Sequence, residues 1–372
     1  MSNLKYNNNK NVLEATRERI NFVFDKFETI IVSISGGKDS TVLAHLALSE
    51  AHKRGRKIGL FYLDEEAVYD ATIKQVEYLM SLYPENTVRY WFQFEFNLTN
   101  SVDIGDGQFH CWEQGKRKDW IHPRDKRNVL KRTWTHETKI ACKEKGFGFY
   151  DVIENFEMSF KNAAFLVGLR ADESLNRRRA VIKKAGYENI LWSTQKGENF
   201  TFYPLYDWAF SDIWKYIGEQ KLRYHRYYDI AFLRGVPLSK MRVSSLCHEK
   251  SFSAIQDLPE FEPNTYERLL KRAKGISFAQ ETAKDGKMFR CRKLPKNFKK
   301  WSDYRDFLLA TYPDASRVEI FRKRFSKHPQ SENIARQQCR QLILNDYENN
   351  LPVDIKAELK LQETIEYWKN IL

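Results

Sequence analysis

Apolar residues recur at Val12, Ala15, Ile20, Val23, Phe24 and Phe27, close to the 3.6-residue period of one helix face. The spacing predicts an amphipathic helix over residues 11–28. The pattern then changes. TIIVSIS, residues 29–35, is an apolar, β-branched run of the kind that forms a strand buried on both faces. STVLAHLALSEAHKRG, residues 40–55, returns to the helical period, and Gly55 supplies a stop. KIGLFYLD (57–64) and TVRYWFQFEF (87–96) predict two further strands, with a helix over AVYDATIKQVEYLMSLYP (67–84) between them. AAFLVGLR (163–170) predicts a later strand, and SDIWKYIGEQ (211–220) a helix with Ser211 as its N-cap. Strands alternating with helices predict an α/β fold with a doubly wound, mostly parallel sheet.

Two regions depart from this rhythm. Residues 101–150 form a basic, aromatic insert, and from about residue 221 onward the pattern is helix-rich and basic without convincing strands. The organisation expected is a disordered tail (1–10), an α/β domain (11–220) carrying the insert, and a mainly helical, basic C-terminal region (221–372). No internal repeat and no long Pro- or Gly-rich linker marks the boundary.

A 42% hydrophobic share over 372 residues is enough for a sizeable core. No apolar window is long enough to span a bilayer, and the opening MSNLKYNNNKN lacks the apolar stretch of a secretory signal. A cytoplasmic protein with no membrane partner is expected. Five cysteines, odd in number, scattered and without a CxxC, argue for a reducing compartment. The net charge of +13 favours polyanions such as nucleotides and nucleic acids. The insert sets Lys116, Arg117, Lys118, Arg124, Lys126, Arg127, Lys131 and Arg132 among Trp112, Trp120 and Trp134. Cations suit phosphates and exposed rings can stack on bases, so DNA or RNA is a candidate partner.

The chemistry concentrates in SISGGKDS, residues 33–40. A strand, a Gly-rich turn and a helix place free backbone N–H groups and the helix dipole at one point, which favours an anion. Gly36 and Gly37 allow close approach, Lys38 adds a charge, and Ser35 and Ser40 are candidate hydroxyl donors. Asp39 fits there if it meets Mg²⁺ or orients another group of the loop. The stretch is not a Walker P-loop, which needs GxxxxGK followed by Ser or Thr.

SGGKDS does match the PP-loop shared by ATP pyrophosphatases and phosphoadenosine phosphosulfate (PAPS) reductases. LDEE (63–66), GLRADESLNRR (168–178) and FYPLYDWAFSDIWKYI (202–217) extend the match in order. The chain thus resembles the PP-loop superfamily and, within it, the PAPS reductase-like family, whose fold is that of the adenine nucleotide alpha hydrolases. The opening helix and GVPLSKMRVSSLCHEKS (235–251) resemble a subgroup with a long helical C-terminal extension, described as sulfotransferase-like or regulatory and linked to a ParB-like protein. The resemblance implies an adenine nucleotide, ATP or PAPS, as substrate. It implies nucleotide contacts at Ser33, Ser35, Gly36, Gly37, Lys38, Asp39, Ser40, Asp64, Gly168, Arg170, Glu173 and Arg177. Lys38, Asp39 and Arg170 are the expected catalytic groups, Asp172 with Glu173 would orient the arginines, and Asp39 with Asp64 would hold Mg²⁺.

One signature is missing. The Glu-Cys-Gly-x-His motif of the true reductases occurs nowhere in the 372 residues, and Cys339, in ARQQCRQL, lacks the Gly and His. Without that thiol, reduction of a sulfonucleotide is not expected. Paired cysteines for an iron–sulfur cluster are also missing. His110, Cys111, His122, His136, Cys142 and the Cys247-His248 pair fit no standard zinc spacing, so no zinc is expected. Three functions stay open: an enzyme acting at the nucleotide phosphates with a separate acceptor, a nucleotide-sensing regulator, and a reductase with an atypical thiol at Cys247 or Cys339.

Overall fold

In the computed structural model, residues 10–103, 107–124, 148–182, 186–238, 241–248, 251–277, 279, 294–347, 349 and 351 are described. The expected N-terminal tail (apart from Lys10), the stretch 125–147 of the insert with Lys126, Arg127, Lys131, Arg132, Trp134, His136 and Cys142, and Cys291 lie outside the described residues.

Asn11 caps the first helix, α1 (Val12–Lys26). Its side chain accepts from the Glu14 N–H at 2.9 Å, and the Glu14 carboxylate accepts from the Asn11 N–H at 3.2 Å. Such a box is worth about 1 kcal/mol. Arg56 closes the other end by donating to the carbonyls of Phe24, Phe27 and Glu28. The chain then forms β1 (Thr29–Ser33), α2 (Lys38–Lys53), β2 (Ile58–Leu63), α3 (Asp70–Ser81) and β3 (Thr87–Phe92). A short ribbon of β4 (Phe96–Thr99) and β5 (Gln108–Cys111) follows, then α4 (Phe149–Met158) and β6 (Ala163–Val167). Next come α5 (Leu175–Ile182), β7 (Ser193–Lys196), β8 (Asn199–Phe202), α6 (Phe210–Glu219) and α7 (Tyr227–Leu233).

The sheet order is β3-β2-β1-β6-β8-β7. Every neighbouring pair is parallel except β7 with β8. Alternate strand residues face opposite ways. Ile30, Val32, Leu60, Tyr62 and Leu166 join one core with Ile20, Val23 and Phe24 of α1, Val42 and Leu46 of α2, Val76 of α3 and Ile213 of α6. On the other face, Phe61 stacks on Phe156 of α4 with ring centroids 4.3 Å apart, and Phe92 and Phe165 meet the same ring. Both faces are therefore covered, as a doubly wound parallel sheet requires. Each fully buried aliphatic or aromatic side chain contributes about 1.5–3 kcal/mol.

Several boundaries differ from the sequence expectation. α2 begins at Lys38 rather than Ser40, so Lys38 and Asp39 belong to its first turn. The 87–96 run is not one strand: β3 ends at Phe92, where its partner β2 also ends, and Gln93 turns its amide to Asp64. The N-cap of α6 is Ala209, not Ser211; the Asp212 carboxylate reaches back to the Ala209 N–H at 2.8 Å. The β7–β8 hairpin went unnoticed in the sequence, although Gly197, at φ +60°, marks its tight turn.

Two compact units emerge: Met1–Asn97 with Cys111–Ser245, and Leu98–His110 with Leu246–Leu372. These divisions differ from the boundary expected near residue 220. Residues 221–245 belong to the first unit because Tyr228, Met241 and Ser245 bond to its loops. The second unit contains α8 (Phe252–Ile255), α9 (Leu258–Phe261), α10 (Pro263–Arg272), α11 (Trp301–Ala310), α12 (Ala315–Phe325) and α13 (Glu332–Ile343). Phe321, Phe325 and Leu342 form its core with Tyr312 and Tyr347. Asn100 and Asp103 are pinned there by Asn345, which donates to both their carbonyls. Among the described residues no helix is long and apolar enough to cross a membrane.

Candidate functional site

The carboxyl ends of β1 and β6 lie side by side, with Ser33 registered on Val167. Open α/β sheets bind ligands at such strand ends. From β1 the chain turns through Ser35 and Gly36 into α2. Gly36 stands at φ +72°, and a Cβ there would sit 3.0 Å from the Thr72 methyl group, so conformation and space both call for glycine. The two hydroxyls fasten the turn. Ser40 Oγ accepts from the Ser35 N–H at 3.2 Å and donates to the Gly37 carbonyl at 3.0 Å, while Ser35 Oγ accepts from the Gly37 N–H. The N–H groups of Gly36, Asp39 and Ser40 have no acceptor among the described residues. That leaves a cluster of backbone donors on the positive end of a 16-residue helix.

Gly168, just past β6, packs against this turn. A Cβ on it would lie 3.2 Å from the Asp39 carbonyl carbon and oxygen and from the Ser40 nitrogen. Arg170 follows and lies buried at 3% exposure. Its Nε donates to Asp39 Oδ1, and its Nη2 donates to Glu173 Oε1 at 3.1 Å. Glu173 also pairs with Arg177. Lys38, 4% exposed, donates from Nζ to Asp39 Oδ2 at 3.0 Å and to the Met241 carbonyl at 3.3 Å. Burial lowers the Lys38 pKa; Asp39 opposes that, while Arg170 and Arg242 add to it.

The site therefore gathers Ser35, Gly36, Gly37, Lys38, Asp39, Ser40, Gly168, Arg170, Glu173 and Arg177. Ser33 stays in the strand ladder between Phe61 and Val167. Asp64 belongs to a different network. Fully buried, its Oδ2 accepts from Trp91 Nε1 and Gln93 Nε2, both at 2.8 Å, while Oδ1 meets the Glu66 N–H and His122 Nε2, both at 3.1 Å. Asp39 has both oxygens on cations. Asp64 accepts two contacts on each oxygen in its own network, so the structure does not bring Asp39 and Asp64 together as the expected metal pair. Among the described residues no group of three or more His, Cys, Asp or Glu is arranged for a metal.

Sequence reasoning missed Tyr228, Met241 and Arg242. The buried Tyr228 hydroxyl accepts the Lys38 N–H at 3.2 Å, and burial pushes its own pKa up. His225 supports the same wall: Nδ1 accepts the Tyr227 N–H, and Nε2 meets Thr72 Oγ1 at 3.0 Å. Burial holds the imidazole neutral, with its pKa lowered to about 3. The sequence signal for Met241 and Arg242 was the GVPLSKMRVSS tract, and only as a resemblance; Tyr228 lies outside it.

Two other expectations change. Trp112 and Trp120 are buried against each other, ring centroids 5.2 Å apart, and offer no face to a nucleic-acid base. Cys111, Cys247 and Cys339 are all 0% exposed, so no accessible thiol stands among the described residues. The FYPLYDW stretch serves packing: Asp207 takes Arg19 of α1 bidentately at 2.8 and 2.6 Å, and Trp208 donates to Thr16.

The sequence profile of the phosphoadenosine phosphosulfate reductase domain matches residues 29–235, more than half of the chain. The chain belongs to this family. A domain of unknown function, DUF3440, matches residues 235–333. This PAPS reductase-domain protein is similar to the uncharacterized protein YbdN of Escherichia coli (strain K12): 28% identity over 329 residues, 85% of this chain and 79% of that one. It is also similar to the uncharacterized protein MJ0066 of Methanocaldococcus jannaschii, at 26% identity over 222 residues, 59% of this chain but 38% of that one. Among solved structures, a PAPS reductase from Candida auris in a phosphate complex aligns with a TM-score of 0.34 and 15% identity, over 58% of this chain and 84% of that one. An FMN adenylyltransferase of Candida glabrata, with FMN and an ATP analogue, aligns with a TM-score of 0.36 and 16% identity, over 58% and 59%. At these scores neither likeness carries an argument, and the fold stands on its own strand order.

Proposed function

We propose that the loop of residues 33–40 binds the phosphate groups of an adenine nucleotide, ATP or PAPS, and that the chain transfers a group from it to a separate acceptor. The carrying observation is the charge balance at the loop. Lys38, Arg170, Arg177 and Arg242 stand against Asp39 and Glu173, four cations to two carboxylates, beside three backbone donors that have no acceptor among the described residues. Such a surplus, two of its cations buried and two open to solvent, suits a dianionic or more highly charged group.

In the ATP form of the reaction, a nucleophile of the acceptor attacks the α-phosphorus. The new acceptor–phosphorus bond forms as the bond to the bridging oxygen breaks. Pyrophosphate leaves with the electron pair, and the acceptor's proton passes to solvent. The protein contributes position and charge neutralisation: donors at the start of α2 for the transferring phosphate, and Lys38 with Arg170 for the leaving group. Asp39 holds both cations in place beforehand. The buried cysteines give the thiol-dependent reaction no attacking group among the described residues.

Titration calorimetry with ATP, adenosine phosphosulfate and PAPS tests binding, and pyrophosphate release with candidate acceptors tests transfer. Binding should be lost in Lys38→Ala. Failure of the wild type to bind any of the three overturns the reading. Binding without turnover across acceptors, together with nucleotide-dependent affinity for DNA or a protein partner, would make the chain a regulator instead.

A further inference from the structure

We infer that Arg242, which lies outside the 29–235 match, is an anion-contacting residue of the loop site and takes the outermost charged group of the bound nucleotide. The inference rests on the nucleotide reading above and adds a specificity residue to it.

The backbone places Arg242 there. Its neighbour Met241 is 3% exposed, and the Met241 carbonyl accepts from Lys38 Nζ at 3.3 Å. The next residue along the chain therefore starts from the wall of the anion loop. Burial is the main cause of the lowered pKa of both Lys38 and Arg177, and the Arg242 charge adds to it in each. One guanidinium is thus felt on both sides of the site.

The partners of the four cations differ. Lys38 is held by Asp39, Arg170 by Asp39 and Glu173, and Arg177 by Glu173. Arg242 has no carboxylate or carbonyl partner among the described residues, and it is exposed. Exposure rises from Lys38 and Arg170, 4% and 3%, to the Arg177 side chain, 43%. Two of the four cations are thus buried and two are open to solvent, Arg242 among the latter. A cation already bound to a carboxylate must exchange that contact for a ligand oxygen. Arg242 exchanges only water, so its charge-assisted contact is gained with little loss. On this inference a single phosphate seated on the helix start is held by the buried cations and leaves Arg242 in water. A nucleotide carrying a further phosphoryl or sulfuryl group beyond the first engages it.

The test compares wild type, Arg242→Ala, Arg242→Lys and, as a control for general charge, Lys116→Ala, an exposed cation away from the loop. Calorimetry is run with AMP, ATP and PAPS. Arg242→Ala should weaken ATP or PAPS by about 10- to 100-fold. Arg242→Lys should recover part of that, and AMP affinity should not change. Lys116→Ala should behave as wild type throughout. Because the Arg242 side chain has no internal partner among the described residues, its variants should melt with the wild type. If Arg242→Ala binds ATP and PAPS as wild type does, or weakens AMP equally, the inference fails while the nucleotide reading stands. If the wild type binds none of the three, both fail.

Discussion

Arg170, three residues beyond β6, donates its Nε hydrogen to Oδ1 of Asp39, in the first turn of α2, across 131 positions of sequence. Asp39 Oδ2 takes Lys38 on its other side, so one carboxylate organises two buried cations. Asp39 is thus the shared partner of both cations. Asp39→Asn should leave Lys38 and Arg170 under-compensated and cost about 3 kcal/mol, read from urea unfolding. Added pyrophosphate should raise the unfolding midpoint more in this variant than in wild type, because the anion replaces the missing charge. Equal shifts would argue against that role.

Gly168 sets the distance between β6 and α2. Its φ is not in the left-handed region, so space alone decides the residue. Gly168→Ala should push the Asp39–Ser40 peptide away and partly cover the Ser40 N–H. The expected cost is about 1–3 kcal/mol of stability, with weaker nucleotide binding. A variant that keeps stability but loses binding would show that the peptide moved without unfolding the sheet.

The periodicity of 29–35, 57–64 and 163–170 made the central strands legible, because strands buried on both faces are continuous apolar runs. SGGKDS and GLRADES marked the anion loop and Arg170 for the same kind of reason: their chemistry is local. The rest depends on contacts distant in sequence. Tyr228 meets Lys38 across 190 positions and Met241 across 203, and no local pattern announces either. The strand end at Asp64 pointed to a ligand group, yet Trp91, Gln93 and His122 converge on it and turn it inward.

The insert's tryptophans illustrate the same limit. Beside Lys116, Arg117 and Lys118 they read as a stacking platform, but Trp112 is 0% exposed and donates Nε1–H to the Asp64 carbonyl at 2.7 Å. Trp112→Ala should destabilise the chain by about 3–5 kcal/mol through the cavity it leaves. Trp112→Phe should cost roughly 1 kcal/mol, mainly the lost hydrogen bond. Neither should alter the salt dependence of oligonucleotide retention, measured by fluorescence anisotropy on folded protein. A changed salt slope in Trp112→Phe would restore the base-contact reading.

Beneath the same tryptophan, His122 and Asp64 form a buried pair with His122 Nε2 3.1 Å from Asp64 Oδ1. Burial works against charging His122, but Asp64 and then Glu66 outweigh it and raise its pKa above 6.5. A base with a raised folded pKa gives stability that is fully present below its unfolded value. That stability is lost as pH rises through the folded value. His225 works in the other direction: burial lowers its pKa to about 3, so its contribution falls as the solution is acidified below 6.5. His45, also lowered by burial, adds to that acid side. His225 and His45 are the same in wild type and variant, so their contributions cancel in the difference and His122 can be read alone. The stability gap between wild type and His122→Asn should be at its full width below about pH 6.5 and should narrow as pH rises above it, followed by urea unfolding. A gap that stays constant through that rise would mean His122 is neutral in the folded chain and acts by its hydrogen bond alone.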